Sequence, residues 1–213
     1  MMTRSKDRVS VLLVDDHAVV REGYRRLLER HGDIAVIGEA GDAATAHSLF
    51  ISLRPRIVVM DITLPGTSGL EAMRRMLLYD ADARVLIFSM HEDTIFARRA
   101  LQTGAYGYVT KASAPNVLVE AVLSISRGKK YLSPEIAQSV ALGEAMAYSH
   151  GLTQREFDVL RLIIQGQTVQ EIAEALGLNS KTVANHQSTV RQKLGAETTI
   201  ELLRKANTLG LAS

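Results

Sequence analysis

The chain has no cysteine and no tryptophan in 213 residues, and six Tyr and four Phe supply all of its large aromatic surface. Without cysteine, disulfides, thiolate nucleophiles and thiolate-bound metals are excluded. No apolar run approaches the roughly 20 residues needed to cross a bilayer. The basic start MMTRSKDRVS leads into an apolar stretch too short for the core of a signal peptide. The expectation is a cytoplasmic protein with no membrane partner. An excess of one charge is also missing. Lys and Arg number 25 against 23 Asp and Glu, a net charge of +2, so any argument for a nucleic-acid partner must be local. What is present is a 46% hydrophobic composition, enough for real cores, in a length that suits one or two domains.

Four short apolar runs each end in a polar or charged residue. Val9–Val14 leads into Asp15 and Asp16, Ile57–Met60 into Asp61, Val85–Phe88 into Ser89, and Tyr106–Thr110 into Lys111. Helical periodicity fills the intervals, so residues 9–131 read as five βα units. The predicted strands are Val9–Val14, Ile34–Glu39, Ile57–Asp61, Arg84–Ser89 and Tyr106–Thr110. The predicted helices are Ala18–His31, Ala43–Ser52, Ser68–Tyr79, Thr94–Thr103 and Pro115–Arg127, with Ser68 as a cap and Gly104 as a stop. Alternating strands and helices build a parallel sheet, and such sheets bind ligands outside the carboxyl ends of their strands. Three carboxylates, a hydroxyl and an ammonium are therefore delivered to one end of one sheet.

Carboxylates held that close repel one another unless a cation neutralises them. The available donors are hard oxygens, which selects Mg²⁺ or Mn²⁺ over zinc. A carboxylate in such a site can attack phosphorus and become an acyl phosphate, a reaction that needs mainly positioning and charge neutralisation. An aspartate-nucleophile phosphatase of the haloacid-dehalogenase class would need Asp-x-Asp, whereas Asp15 and Asp16 are adjacent.

Beyond the fifth unit, Ser133-Pro134 opens another helix, and Tyr148–Gly151 reads as a linker. From Leu152 onward the pattern is all-helical: Gln154–Ile164, Val169–Leu176, Ser180–Leu194 and Thr199–Thr208. Ala173, Gly177 and Val183 have the spacing of a helix-turn-helix, a spacing an ordinary αα-hairpin also permits. Asn179 suits an N-cap. Val183, His186, Val190 and Leu194 share the face expected to point inward. The opposite face carries Lys181, Ala184, Asn185, Ser188 and Arg191. Asn185 suits adenine, and Lys181 suits guanine or phosphate; plain solvation is the alternative for such a face.

VLLVDDH, VVMDITLPGTSGLE, VLIFSM and GYVTK together resemble the receiver domain of bacterial two-component response regulators. The resemblance implies a flavodoxin-like (βα)5 fold in which Asp61 accepts phosphate from a histidine kinase. It implies Mg²⁺ held by Asp15, Asp16, Asp61 and the backbone carbonyl of Thr63, with Lys111 paired to the phosphoryl group. Ser89 and Tyr108 take the places of the switch hydroxyl and switch aromatic, Tyr108 following Ser89 inward. Lys111 is not followed by proline, so no cis bond is expected there. His91 stands where the family tunes phosphoryl lifetime. The segment LTQREFDVLRLIIQGQTVQEIAEALGLNSKTVANHQSTVRQKLGAET resembles the LuxR/FixJ/NarL-type helix-turn-helix. That likeness implies a DNA-reading third helix and a fourth helix forming a dimer contact, with Ile200, Leu203 and Asn207 on the contact face. Ala184 replaces a lysine common in the family, which leaves apolar contact with a thymine methyl as one option there. Thr182 is a candidate phosphate contact. The expected domains are a receiver at 1–132, a helical linker at 133–151 and a smaller all-α DNA-binding domain at 152–213. The expected protein is a phosphorylation-dependent transcriptional regulator of the NarL/FixJ family, not an enzyme, binding double-stranded promoter DNA as a homodimer.

Overall fold

The computed structural model describes residues 8–92 and 94–209, and the chain divides into two units that meet between Ala137 and Gln138. The first contains a parallel sheet of β1 (Val9–Val14), β2 (Ile34–Ala40), β3 (Ile57–Met60), β4 (Val85–Ser89), β5 (Gly107–Thr110) and β6 (Tyr131–Leu132). The strand order is β2-β1-β3-β4-β5-β6. Chain order reverses around β1, and a crevice opens between β1 and β3 at their carboxyl ends. Val14 lies opposite Met60 in this register, so the residues that follow them, Asp15 and Asp61, emerge side by side.

The strands form because β1, β3, β4 and β5 are apolar on both faces and buried almost throughout, as helices on both sides of a sheet require. One face buries Val11, Leu13, Val59, Leu86, Phe88 and Val109 with Leu28 of α1 (Ala18–Glu29) and Val117–Ile125 of α5 (Pro115–Ser126). The other receives α2 (Ala43–Leu53), α3 (Gly69–Tyr79) and α4 (Thr94–Thr103). Gly38 lets α2 close in: a β-carbon there would meet Leu53, Leu12 and Leu49 side chains. Gly104, at φ +114°, ends α4 as its sequence position suggests.

Three departures from the sequence pattern have simple causes. First, β6 is an additional strand, with Tyr131 N–H bonded to Tyr106 O and Ser133 N–H to Tyr108 O. Two residues are too few to show a period. Second, β3 ends at Met60 rather than Asp61, and β5 starts at Gly107 rather than Tyr106. Third, α6 runs from Pro134 to Ser149, so Tyr148 and Ser149 are helical rather than linker. Ser133 precedes α6 and its carbonyl accepts from Ala137 N–H, but its buried hydroxyl makes no hydrogen bond.

The second unit packs α7 (Gln154–Ile164), α8 (Val169–Leu176), α9 (Ser180–Leu194) and α10 (Thr199–Thr208), with the bounds that helical spacing gives. Each start is capped. Thr153 and Thr168 form capping boxes with Glu156 and Glu171, and Asn179 and Thr198 accept from Thr182 and Glu201 N–H. Gly177, at φ +64°, makes the turn between α8 and α9. Phe157, Leu160, Ile172, Leu176, Val183, Val190 and Leu202 fill the core.

Gly69 begins α3 directly against the Asp61 carbonyl, and an added β-carbon would collide with that backbone oxygen. Backbone cannot give way cheaply. Gly69→Ala should therefore destabilise the first unit by about 2 kcal/mol or more, the range of overpacked cores. Urea denaturation checks this, and an unchanged midpoint would contradict it.

Candidate functional site

The turns that leave β1, β3 and β5 bring three charged groups together. Lys111 Nζ lies 2.6 Å from Asp15 Oδ2 and 2.5 Å from Asp61 Oδ2. Asp15 is 2% and Asp61 4% exposed, and the lysine side chain is 6% exposed. The second oxygen of each carboxylate is also engaged. Asp15 Oδ1 accepts from His17 N–H at 2.8 Å, and Asp61 Oδ1 from Thr63 N–H at 3.2 Å. Burial alone would lower the Lys111 ammonium, but the hydrogen bonds and charges of Asp15 and Asp61 outweigh it and hold the group above the ordinary lysine value. Its Nζ also lies over the Phe88 ring, 5.9 Å from the centroid.

Ser89 is buried, and its Oγ accepts from His91 N–H at 3.3 Å. Tyr108 is fully buried, and its hydroxyl donates to the His91 carbonyl at 2.7 Å. The His91 ring stacks on Phe96 at 4.2 Å. No cis peptide bond occurs among the described residues.

Asp16 is exposed and lies 2.8 Å from His17 Nδ1. Asp15, Asp16 and His17 each offer a ligand atom within 4.8 Å of the others, whereas Asp61 is turned to Lys111 and Thr63. Three carboxylates against one ammonium leave an excess of negative charge, and their oxygens suit a hard divalent cation. Two contributors carry no spacing signal in the sequence. Arg21 Nη1 donates to the Asp15 carbonyl at 2.5 Å while its Nε holds Glu39, fixing the β1–α1 turn against β2. Gly69 seats α3 under Asp61.

In the second unit α9 buries Val183 and Val190 and half-buries His186 and Leu194. Lys181, Ala184, Asn185 and Ser188 are exposed on the other side; Thr182 and Arg191 are half-buried. The Thr182 hydroxyl donates to the capping oxygen of Asn179 at 2.9 Å, so its proton is already used locally. Lys193 is tied to Glu156 of α7 at 2.7 Å, which removes one of the three bases of α9 from its free charge. Burial would raise the Glu156 carboxyl, but Lys193 and the Thr153 amide and hydroxyl overcome this and hold it below the ordinary glutamate value. On α10, Ile200 is 71% exposed, Asn207 exposed and Leu203 half-buried, opposite the buried Leu202 and Ala206.

Comparison with known proteins agrees with both units. Residues 11–123 match the response regulator receiver domain, and residues 150–206 the luxR family of bacterial regulatory proteins. The chain is 35% identical over 210 residues to the response regulator UvrY of Escherichia coli K12, covering 96% of each. A LuxR-family two-component response regulator from Aurantimonas sp. SI85-9A1 is 49% identical, with a TM-score of 0.64, over 65% of this chain and 99% of that one. RcsB of Salmonella typhimurium is 26% identical, with a TM-score of 0.64, over 95% and 99%. A structure of an RcsB–DNA complex also aligns, at 25% identity and a TM-score of 0.63, over 94% and 98%. The chain belongs to the two-component response regulators of the NarL/FixJ (LuxR) family. It is a transcriptional regulator of that family, not an enzyme.

Lys111→Met would leave two buried carboxylates facing each other without a counter-charge. A loss of about 3 kcal/mol or more is expected from removing one member of a buried ionic cluster. Because the folded lysine value lies above the ordinary one, its contribution is complete at neutral pH and lost only as pH climbs past the lysine range. The stability gap between wild type and variant should therefore stay constant from about pH 7 to 9. Urea titrations at several pH values test this; a gap that closes within that window would contradict it.

Proposed function

We propose that Asp61 is the phosphoryl acceptor and that its phosphorylation controls DNA binding by the helical unit. The observation that carries this reading is the buried Asp15–Lys111–Asp61 cluster at the carboxyl ends of β1, β3 and β5. An Asp61 oxygen attacks the phosphorus of a kinase phosphohistidine. The P–N bond breaks, the imidazole leaves, and an acyl phosphate forms. Asp15, Asp16, Asp61 and the Thr63 carbonyl would hold Mg²⁺, or Mn²⁺, which when bound neutralises phosphoryl charge. Lys111 exchanges its contact with Asp61 for one with the phosphoryl oxygens. Ser89 turns its hydroxyl toward them. Because His91 is bonded to both Ser89 and Tyr108, a shift of Ser89 is passed to the β4–α4 turn.

In the second unit, Asn185, Lys181, Ala184 and Ser188 face DNA bases or phosphates, and Arg191 flanks them. Thr182 contacts phosphate only by giving up its bond to Asn179. Ile200, Leu203 and Asn207 join two copies, so that one bound half-site makes the other contact intramolecular. RcsB has been described as dimers on DNA. The domain limits are placed at 1–132, 133–151 and 152–213, with α6 in the connecting segment. The protein works in the cytoplasm; no helix among the described residues is long and apolar enough to cross a membrane.

Incubation with acetyl phosphate and Mg²⁺ should give one acyl phosphate per chain, located at Asp61 by mass spectrometry and absent in Asp61→Asn. A phosphate on another residue would contradict the assignment. Leu203→Ala should lower DNA affinity about tenfold, the scale of losing one good hydrophobic anchor, while phosphorylation stays at the wild-type level. Equal affinity in a gel-shift titration would remove α10 from the dimer contact.

A further inference from the structure

The end of the receiver sheet opposite the acidic pocket is basic, and neither phosphorylation nor α9 uses it. Arg8 directly precedes β1, Arg56 precedes β3, Arg84 precedes β4 and Lys130 precedes β6. Neighbouring strands lie about 4.8 Å apart, so these residues form a staggered row across the amino ends of the strands, with Arg56 level with Ser10 rather than with Arg8. Arg127 and Lys129 extend it from the end of α5, and both are exposed. Arg56 Nη2 donates to Ser126 O at 2.7 Å, and Arg84 Nη1 to Ile125 O at 2.9 Å and Ser126 O at 3.0 Å. These bonds draw the two arginines onto the last turn of α5.

Capping a helix end is the simple explanation for Arg56 and Arg84. It accounts for only part of the charge, because a helix C-terminus presents about half a negative charge. The backbone N–H groups of Arg127 and Lys129 also cap this end, at Ser124 O, but the side chains of Arg127, Lys129 and Lys130 are exposed. None of the six basic residues has a carboxylate within ion-pair distance among the described residues. The acids at this end among the described residues include Glu29 at the end of α1, paired with Arg25, Asp33 beside His31, and Asp80 and Asp82 in the turn before β4. Tyr106 lies within the row, with Arg84 5.5 Å from its ring centroid.

We propose that this basic edge of the receiver is a second, sequence-independent contact for duplex DNA, reading phosphates only. Lys and Arg along one edge with an aromatic between them match a phosphate backbone, which attracts cations without regard to sequence. Duplex DNA is favoured over other polyanions because the proposal rests on the DNA-binding reading of the helical unit, which brings that polyanion to the chain.

The test is fluorescence anisotropy of the full chain with a labelled random duplex of about 30 base pairs, long enough to offer phosphates beyond one module's site. Arg127→Gln/Lys129→Gln/Lys130→Gln is the edge variant, Lys181→Ala/Asn185→Ala the α9 variant, and Lys129→Arg/Lys130→Arg the charge-preserving control. Circular dichroism should be the same for all. Removing three phosphate contacts should make the slope of log affinity against log salt shallower by about 2 to 3, with about a tenfold loss near 0.1 M salt. The charge-preserving control should keep the wild-type slope. An unchanged slope in the edge variant, with binding lost in the α9 variant, would overturn the edge contact and leave the α9 reading intact. Wild-type protein that binds no duplex would overturn both. Unchanged DNA binding with lost binding to phosphatidylglycerol vesicles would assign the edge to an anionic lipid surface and overturn the proposal.

Discussion

Two aspartates buried at the ends of neighbouring strands are the constraint on which the receiver is organised. A parallel sheet with the order β2-β1-β3 places Asp15 and Asp61 side by side. Both are shielded from water, where charged oxygens are costly to leave unpaired. Lys111, delivered from β5 across β4, bonds both and lets them stay buried as anions. The backbone serves the same end. His17 and Thr63 amides take the remaining oxygens, Arg21 anchors the Asp15 carbonyl, and Gly69 allows α3 to approach Asp61. The lysine bridge that stabilises the resting receiver is also what an arriving phosphoryl group would reorganise, since the phosphoryl oxygens compete for the same ammonium. On the proposed acceptor role of Asp61, the same charge would serve both stability and signalling.

The helical unit solves a different problem. Its helices are short, and short helices owe their persistence to ends and packing rather than to propensity. All four starts in this unit carry a side-chain cap, and all three turns between its helices use glycine at positive φ. The Lys193–Glu156 pair fastens α9 to α7. This pair and the Asn179 cap hold α9 in place, with Lys181, Ala184, Asn185 and Ser188 left exposed. The chain is nearly neutral overall, so attraction to DNA depends on where its charges lie rather than on how many there are.

Much of this was legible in the sequence because the signals are dense and periodic. Apolar strands ending in Asp15-Asp16, Asp61, Ser89 and Lys111 fix both the fold class and the end of the sheet that carries chemistry. Asn179, Gly177 and the helical spacing give the bounds of the four helices of the second unit. What escaped has physical reasons. β6 is too short to show a period, and α6 runs through Tyr148-Ser149 because neither residue forbids a helix. Lys193 counts in the sequence as one of the three bases of α9, yet tertiary packing pairs it with Glu156. Arg21 sits on a helix face where nothing in its spacing marks a bond to the Asp15 carbonyl. The bond from the Tyr108 hydroxyl to the His91 carbonyl has no signal in the sequence either. Side-chain partners across elements are set by the packed geometry, which one-dimensional spacing does not encode.

The central claim is that a phosphoryl group on Asp61 governs occupancy of DNA by the helical unit. Genome-wide DNA occupancy of the wild type against Asp61→Asn, in the native host under inducing conditions, tests it most directly. The account predicts sites bound by the wild type and lost in the variant. Sites retained in full by Asp61→Asn would contradict it.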